Sequence, residues 1–159
     1  PKTNFAVDIT METLEYLFEV RIFLESAAAY YAAKRRTEED ILHMHNSIHQ
    51  MLEVIESKDR QAGEKLIKAS HDFHFYIFSA AKNPVLANVY QNLYDLLQVS
   101  KQYTLDTRHI SDSTLMEHEA ILYKIEKGDA EEASKYMKFH LFRALKKLRD
   151  RIDKKSEEV

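Results

Sequence analysis

Two glycines, Gly63 and Gly128, and two prolines are all that 159 residues offer for tight turns. A sheet-rich fold needs many turn positions with left-handed or proline-set backbone, and these residue types supply them at least steric cost. The chain is therefore expected to be all-α. The same scarcity excludes phosphate-cradling loops and nucleophile elbows, which need several glycines close together.

Helix boundaries follow from caps and apolar spacing. A first helix is expected from about Met11 to Arg36, with a break near Glu19 conceivable. Thr37 followed by Glu38, Glu39 and Asp40 is an N-terminal capping signature. The second helix then carries Ile41, Met44, Ile48, Leu52 and Ile55 on one face and closes at SKDR. A third runs from about Asp59 to Ala81 and stops before Asn83-Pro84, because proline pushes the preceding residue out of helical geometry. Pro84 suits the first turn of a fourth helix bearing Leu86, Val89, Leu93 and Leu97. Residues 102–113 read as a loop. A fifth helix covers about Ser113 to Lys127 and ends at Gly128, a left-handed cap. Asp129 and Glu132 form a capping box for a last helix that reaches about Lys154. Six or seven helices with short connections pack most simply as an antiparallel bundle.

A chain of this length supports one domain with a substantial core, so residues 1–159 are read as a single unit. No apolar run approaches the roughly 20 residues that span a bilayer. The opening PKTNFAVDIT lacks the basic-then-apolar plan of a signal peptide, so a cytoplasmic location is expected. Without cysteine, any metal must be held by His, Asp, Glu or water. A net charge of −3 argues against nucleic-acid binding over the general surface. The one basic run, ALKKLRDRIDKK at 144–155, has interleaved aspartates and reads as a solvated helix end.

Three histidines fall on apolar stripes. His74 lies with Ile67, Ile77 and Ala81; His118 with Leu115, Leu122 and Ile125; His140 with Ala133, Met137, Ala144 and Leu148. Taken singly, each reads as a hydrogen-bonded core residue, because an unpaired buried polar group costs roughly 1–3 kcal/mol. Taken together, three imidazoles converging in a bundle suit zinc, nickel, iron or manganese with open positions for water or an anion. His45 and His49 form an i, i+4 pair but read as a surface feature, and His43 and His109 as exposed or loop-borne. Asp72, two residues before His74, points to another face.

Arg21 is the other misfit, on a stripe with Leu17, Leu24, Ala28 and Tyr31. A buried guanidinium needs an anion. Glu25, one turn on, is an internal candidate, and the carboxylate of a ligand is the alternative.

The segments FEVRIFLESAAAYYAAKR, FHFYIFSAAKNPVL, EHEAILYKIEKGDAEEA and KFHL, in this order and spacing, resemble the FCD domain. This is the C-terminal effector-binding domain of the FadR-type branch of GntR-family bacterial transcription regulators, and the resemblance covers about residues 12–148. It implies an antiparallel bundle with a central cavity holding a divalent metal, commonly zinc. The family's three histidines correspond to His74, His118 and His140. The arginine of its ExR motif corresponds to Arg21, beside the pocket where a small carboxylate effector binds. The family's aspartate, one turn before the first histidine, is replaced by Ser70, a poor ligand; His71, water or effector oxygens are the candidates to fill that place.

The resemblance further implies a homodimer that signals to an N-terminal winged helix-turn-helix domain, so that DNA is contacted only through a part not in this chain. The expectation is thus a non-enzymatic, ligand-sensing domain. Two alternatives stand beside it. One is a metalloenzyme using the same histidines, for which Glu117 and Glu119 are expected on the wrong faces to act as base. The other is a metal-free helical interaction module.

Overall fold

The computed structural model of the protein describes residues 10–57, 63–93 and 112–157, which form six helices with no strand among them. They are α1 (Met11–Arg35), α2 (Glu38–Ser57), α3 (Gly63–Ala80), α4 over residues 84–93, α5 (Asp112–Glu126) and α6 (Ala130–Glu157). The expected all-α bundle is present. The expected start of the third helix near Asp59, the end of the fourth, the loop from residue 102 and His109 lie outside the described residues.

α1 runs unbroken through Glu19. Nothing in METLEYLFEVRIFLESAAAYYAAKR lacks an N–H or favours a bend, and Leu14, Leu17, Phe18 and Ile22 bury one continuous face across the expected break. Thr10 caps it, its Oγ1 accepting the Thr13 N–H at 3.1 Å.

At the start of α2 the Asp40 N–H donates to Thr37 Oγ1 at 3.3 Å. In return Asp40 Oδ2 accepts the Thr37 N–H at 2.7 Å and the Thr37 hydroxyl at 2.8 Å. This is a reciprocal box with Asp in the usual Glu position. Asn83 opens α4 by accepting the N–H groups of Val85 and Leu86, each at 3.1 Å. The box expected at Asp129 is only half formed. Asp129 Oδ1 accepts the Glu132 N–H at 3.4 Å, but Glu132 turns outward to Lys135, and the Asp129 N–H bonds the Lys124 carbonyl instead. That last bond, with Gly128 N–H to Ile125 and a Gly128 φ of +72°, is the Schellman ending that a left-handed glycine permits.

Two arginines at the end of α1 fix the helix order. Arg35 donates to the Ala81 carbonyl beyond α3 at 3.0 Å, and Arg36 to the Glu126 carbonyl of α5 at 2.7 Å. The C-terminal ends of α1, α3 and α5 therefore gather at one end of the bundle, where α2, α4 and α6 begin. α1 lies antiparallel to α6, its most extensive neighbour. Leu14 and Phe18 meet Leu145 and Leu148, and Arg149 Nε donates to Glu15 at 2.7 Å.

The core takes large side chains from α2 through α6: Met44, Phe73, Phe78, Tyr90, Ile121 and Met137 are all essentially inaccessible to solvent. Each contributes roughly 1.5–3 kcal/mol by leaving water.

Asp40 also accepts from Lys82 Nζ at 2.7 Å. Burial raises its carboxyl, but the Lys82 and Thr37 hydrogen bonds outweigh this and hold it below the ordinary range. A carboxyl lowered in the folded state stabilises above its unfolded-state pKa, and that contribution is lost as pH falls through the folded value. Asp40→Ala is expected to cost about 1–2 kcal/mol at pH 7. In urea titrations followed by circular dichroism, the gap from the unmodified chain should narrow below about pH 4.

Candidate metal centre

The three stripe histidines reach one level of the bundle because their helices share an end. At about 1.5 Å per residue, His74 lies six residues, or about 9 Å, from the close of α3, and His118 about 12 Å from the close of α5. His140 lies about 15 Å from the start of α6, and Glu25 about 15 Å from the close of α1. One ring nitrogen from each histidine falls within 4.8 Å of the other two. The ring centroids are 5.1 Å apart for His74 and His118, 5.3 Å for His74 and His140, and 4.7 Å for His118 and His140. Phe73 packs 4.7 Å from His118. The described residues do not show the expected central cavity.

The histidines differ in what holds them. His140 Nδ1 stands 2.7 Å from Glu117 Oε2 in hydrogen-bond geometry, and Arg143 braces the other Glu117 oxygen at 3.0 Å. His74 Nδ1 stands 2.6 Å from Glu25 Oε2, in ion-pair contact but outside hydrogen-bond geometry. Glu25, wholly buried, accepts from Arg21 Nε through its other oxygen at 2.6 Å. His118 is also wholly buried, and neither of its ring nitrogens has a hydrogen-bond partner among the described residues.

Burial raises the Glu25 carboxyl, but the Arg21 guanidinium and the His74 imidazole together bring it down to about 2, so Glu25 is a permanent anion. Burial draws His118 well below its ordinary value, reinforced by His140, His74 and Arg21. Burial also lowers His140, against the opposing hydrogen bond that it donates to Glu117. A neutral His140 with Nδ1 turned to Glu117 presents its Nε2 lone pair, the arrangement in which an outer carboxylate orients a metal-binding histidine.

The other residues singled out in the sequence lie around this cluster. Arg21, 14% exposed, takes Glu25 as the internal partner and lies over the Phe18 ring; its two terminal nitrogens make no hydrogen bond among the described residues. His71 stacks on Tyr90 with centroids 6.0 Å apart, outside the three-histidine group. Ser70 is half-buried one turn before His74. His45 pairs with Glu126, His49 with Glu53 at 3.3 Å, and His43 stacks on Tyr76.

Two carboxylates have roles that the sequence did not disclose. Glu25 was expected only beside Arg21, and its contact with His74 crosses from α1 to α3. Glu117, expected on another face of α5, reaches His140 because that face meets α6. The available signal was the pairing of Glu117 with a histidine and an arginine three residues apart on α6.

The FCD domain model matches residues 16–143. The chain is 28% identical over 110 residues to the Nta operon transcriptional regulator of Aminobacter aminovorans, covering 69% of this chain and 50% of that protein. It is 29% identical over 135 residues to the HTH-type transcriptional regulator LutR of Bacillus subtilis, covering 82% and 59%. It thus spans about half the length of the curated relatives it matches. Among solved structures, E. coli McbR/YncC superposes with a TM-score of 0.73 at 14% identity over 91% of this chain and 71% of that one. The metal-free FCD domain of TM0439 does so with 0.67 at 18% identity, over 89% and 95%. At such identities the likeness is one of fold.

His140 should carry its proton on Nδ1, toward Glu117. Long-range 15N–1H spectra of the apo protein are expected to show that tautomer, and Glu117→Ala to return His140 to the Nε2-protonated form that free imidazole favours.

Proposed function

Because this chain belongs to the FCD domain family, we propose that it is the ligand-sensing domain of a bacterial transcription regulator, binding a divalent metal through His74, His118 and His140 and a small carboxylate beside Arg21. The observation that carries this reading is His118, buried with both ring nitrogens unpartnered among the described residues, between two histidines whose Nδ1 atoms face the carboxylates of Glu25 and Glu117. A core histidine serving only to pack would leave roughly 1–3 kcal/mol unrecovered there, which weighs against the metal-free interaction module. A nitrogen-only donor set without thiolates suits zinc, with nickel, manganese or iron as competitors. The ion would supply positive charge and open positions at the bundle centre.

Arg21 supplies the anion partner. Its Nε is spent on Glu25, while its terminal nitrogens remain to receive a carboxylate fork. Ser70 and His71 are the residues of this chain nearest in sequence to the place of the family's aspartate; water or an oxygen of the ligand fills whatever they leave.

The site does not favour catalysis. Glu25 and Glu117 are each engaged by a histidine and an arginine, which suits orientation of ligands better than a general base. The names of the relatives, operon and HTH-type regulators, support a regulatory role. DNA would be contacted by a part of the protein outside these residues. A cytoplasmic location fits that role, and no helix among the described residues is long and apolar enough to cross a membrane.

A homodimer is part of the proposal. Val20, Phe23, Phe139 and Phe142 are outward-facing on α1 and α6, beside a groove of about 520 Å3 that Glu19 and Lys138 also line. A two-fold partner would bring each glutamate to the other's lysine.

Zinc titration followed by mass spectrometry under native conditions should load one ion per chain, and His118→Ala should abolish loading. Thermal shift against small mono- and dicarboxylates should find binders that Arg21→Gln no longer recognises. No uptake of zinc, nickel, manganese or iron would remove the metal from the reading, and no response to any carboxylate would remove the effector class.

A further inference from the structure

Glu25 belongs to two sites at once. Its Oε1 accepts from Arg21 Nε at 2.6 Å, and its Oε2 lies 2.6 Å from His74 Nδ1. The first contact is a well-formed hydrogen bond. The second is not: the two atoms touch outside hydrogen-bond geometry, and neither Glu25 Oε2 nor His74 Nδ1 has another hydrogen-bond partner among the described residues. The carboxylate is thus oriented by the guanidinium at the expense of the imidazole. Glu117 offers the internal contrast, because it meets His140 in proper geometry and its arginine, Arg143, is 42% exposed rather than packed against the cluster.

We propose that Glu25 couples the two halves of the site, so that a carboxylate docking on Arg21 tightens zinc binding at the three histidines. This rests on the reading that Arg21 receives a carboxylate and that the histidines bind zinc. An anion on the terminal nitrogens of Arg21 competes for the guanidinium charge and loosens its hold on Glu25. Glu25 is wholly buried and cannot exchange Arg21 for water, so the released oxygen turns toward its other partner, His74. A carboxylate aligned with Nδ1–H fixes the ring and makes Nε2 a stronger donor. Thermodynamic linkage then requires zinc to tighten anion binding by the same factor. Glu25 acts here as a positioning residue, touching neither the ion nor the ligand.

The test separates this relay from simple attraction between an anion and a dication. Zinc affinity is measured by competition with a chromophoric chelator, with and without acetate, for the unmodified chain, Glu25→Gln and Glu117→Gln, each checked for helical content by circular dichroism. Either substitution is expected to weaken zinc binding by about 10–100-fold. Acetate should tighten zinc about fivefold or more in the unmodified chain and in Glu117→Gln, but by less than about twofold in Glu25→Gln. Glu25→Asp keeps the charge while withdrawing it by one methylene, and it serves if Glu25→Gln does not fold; it should likewise lose the acetate response. Direct attraction predicts the reverse, since neutralising Glu25 removes a charge that repels acetate. Retention of the acetate effect in both Glu25 variants overturns the relay. So does a zinc affinity indifferent to acetate in the unmodified chain. In that case, an acetate-induced shift of the Arg21 Nε resonance shows that the effector reading survives, and its absence shows that this reading falls as well.

Discussion

The bundle is organised around one buried negative charge. Glu25 sits in the middle of α1 with no access to water, and removing a single partner from such a charge costs about 3–5 kcal/mol. The chain must therefore bring a partner to each of its oxygens. Arg21, one turn earlier on the same helix, supplies the first locally. The second comes from His74, which requires α3 to lie against α1 in one register. A hydrophobic stripe alone tolerates sliding by a turn, because one Leu or Ala can stand where another stood. A carboxylate that must meet an imidazole cannot slide.

The arginines at the end of α1 solve the complementary problem at the bundle end. Helices leave their last carbonyls unpaired, and in a chain with two glycines few can close with a left-handed cap. Gly128 closes α5, and Lys82, with φ of 50°, stands in a glycine's conformation after α3. Arg35 and Arg36 reach carbonyls at those two endings, so one dipeptide aligns the ends of three helices. The histidines meet because each is a similar number of turns from this shared level.

Much of this was legible in the sequence. Scarce glycine and proline gave the helical class, and Thr37, Asn83, Gly128 and Asp129 marked the boundaries, since caps are local and depend on neighbouring residues. The three histidines were legible because a polar residue on an apolar stripe is conspicuous. What escaped was every contact between helices that polar residues make from the edges of stripes. Glu117 lies about 100° from His118 on α5, which reads as pointing away until α6 is known to cover that edge. The half-formed box at Asp129 escaped for a related reason: its N–H was claimed by the Schellman ending of the preceding helix, a competition that neither motif reveals alone.

The charges of the centre also bear on why Ser70 need not impoverish it. Three imidazoles are surrounded by two carboxylates, Glu25 and Glu117, each matched to an arginine, Arg21 and Arg143. The carboxylates and the arginines balance in charge. A fifth charged group, an aspartate one turn before His74, would upset that balance in the empty domain and offset it in the loaded one. On the proposed reading, a dication bound with serine in that position would leave a positive surplus at the centre, and the group best suited to cancel it would be an anion arriving from outside, beside Arg21, whose terminal nitrogens make no hydrogen bond among the described residues. The missing oxygen donor would then come from the ligand, and ion and anion would depend on each other more than with a carboxylate built in.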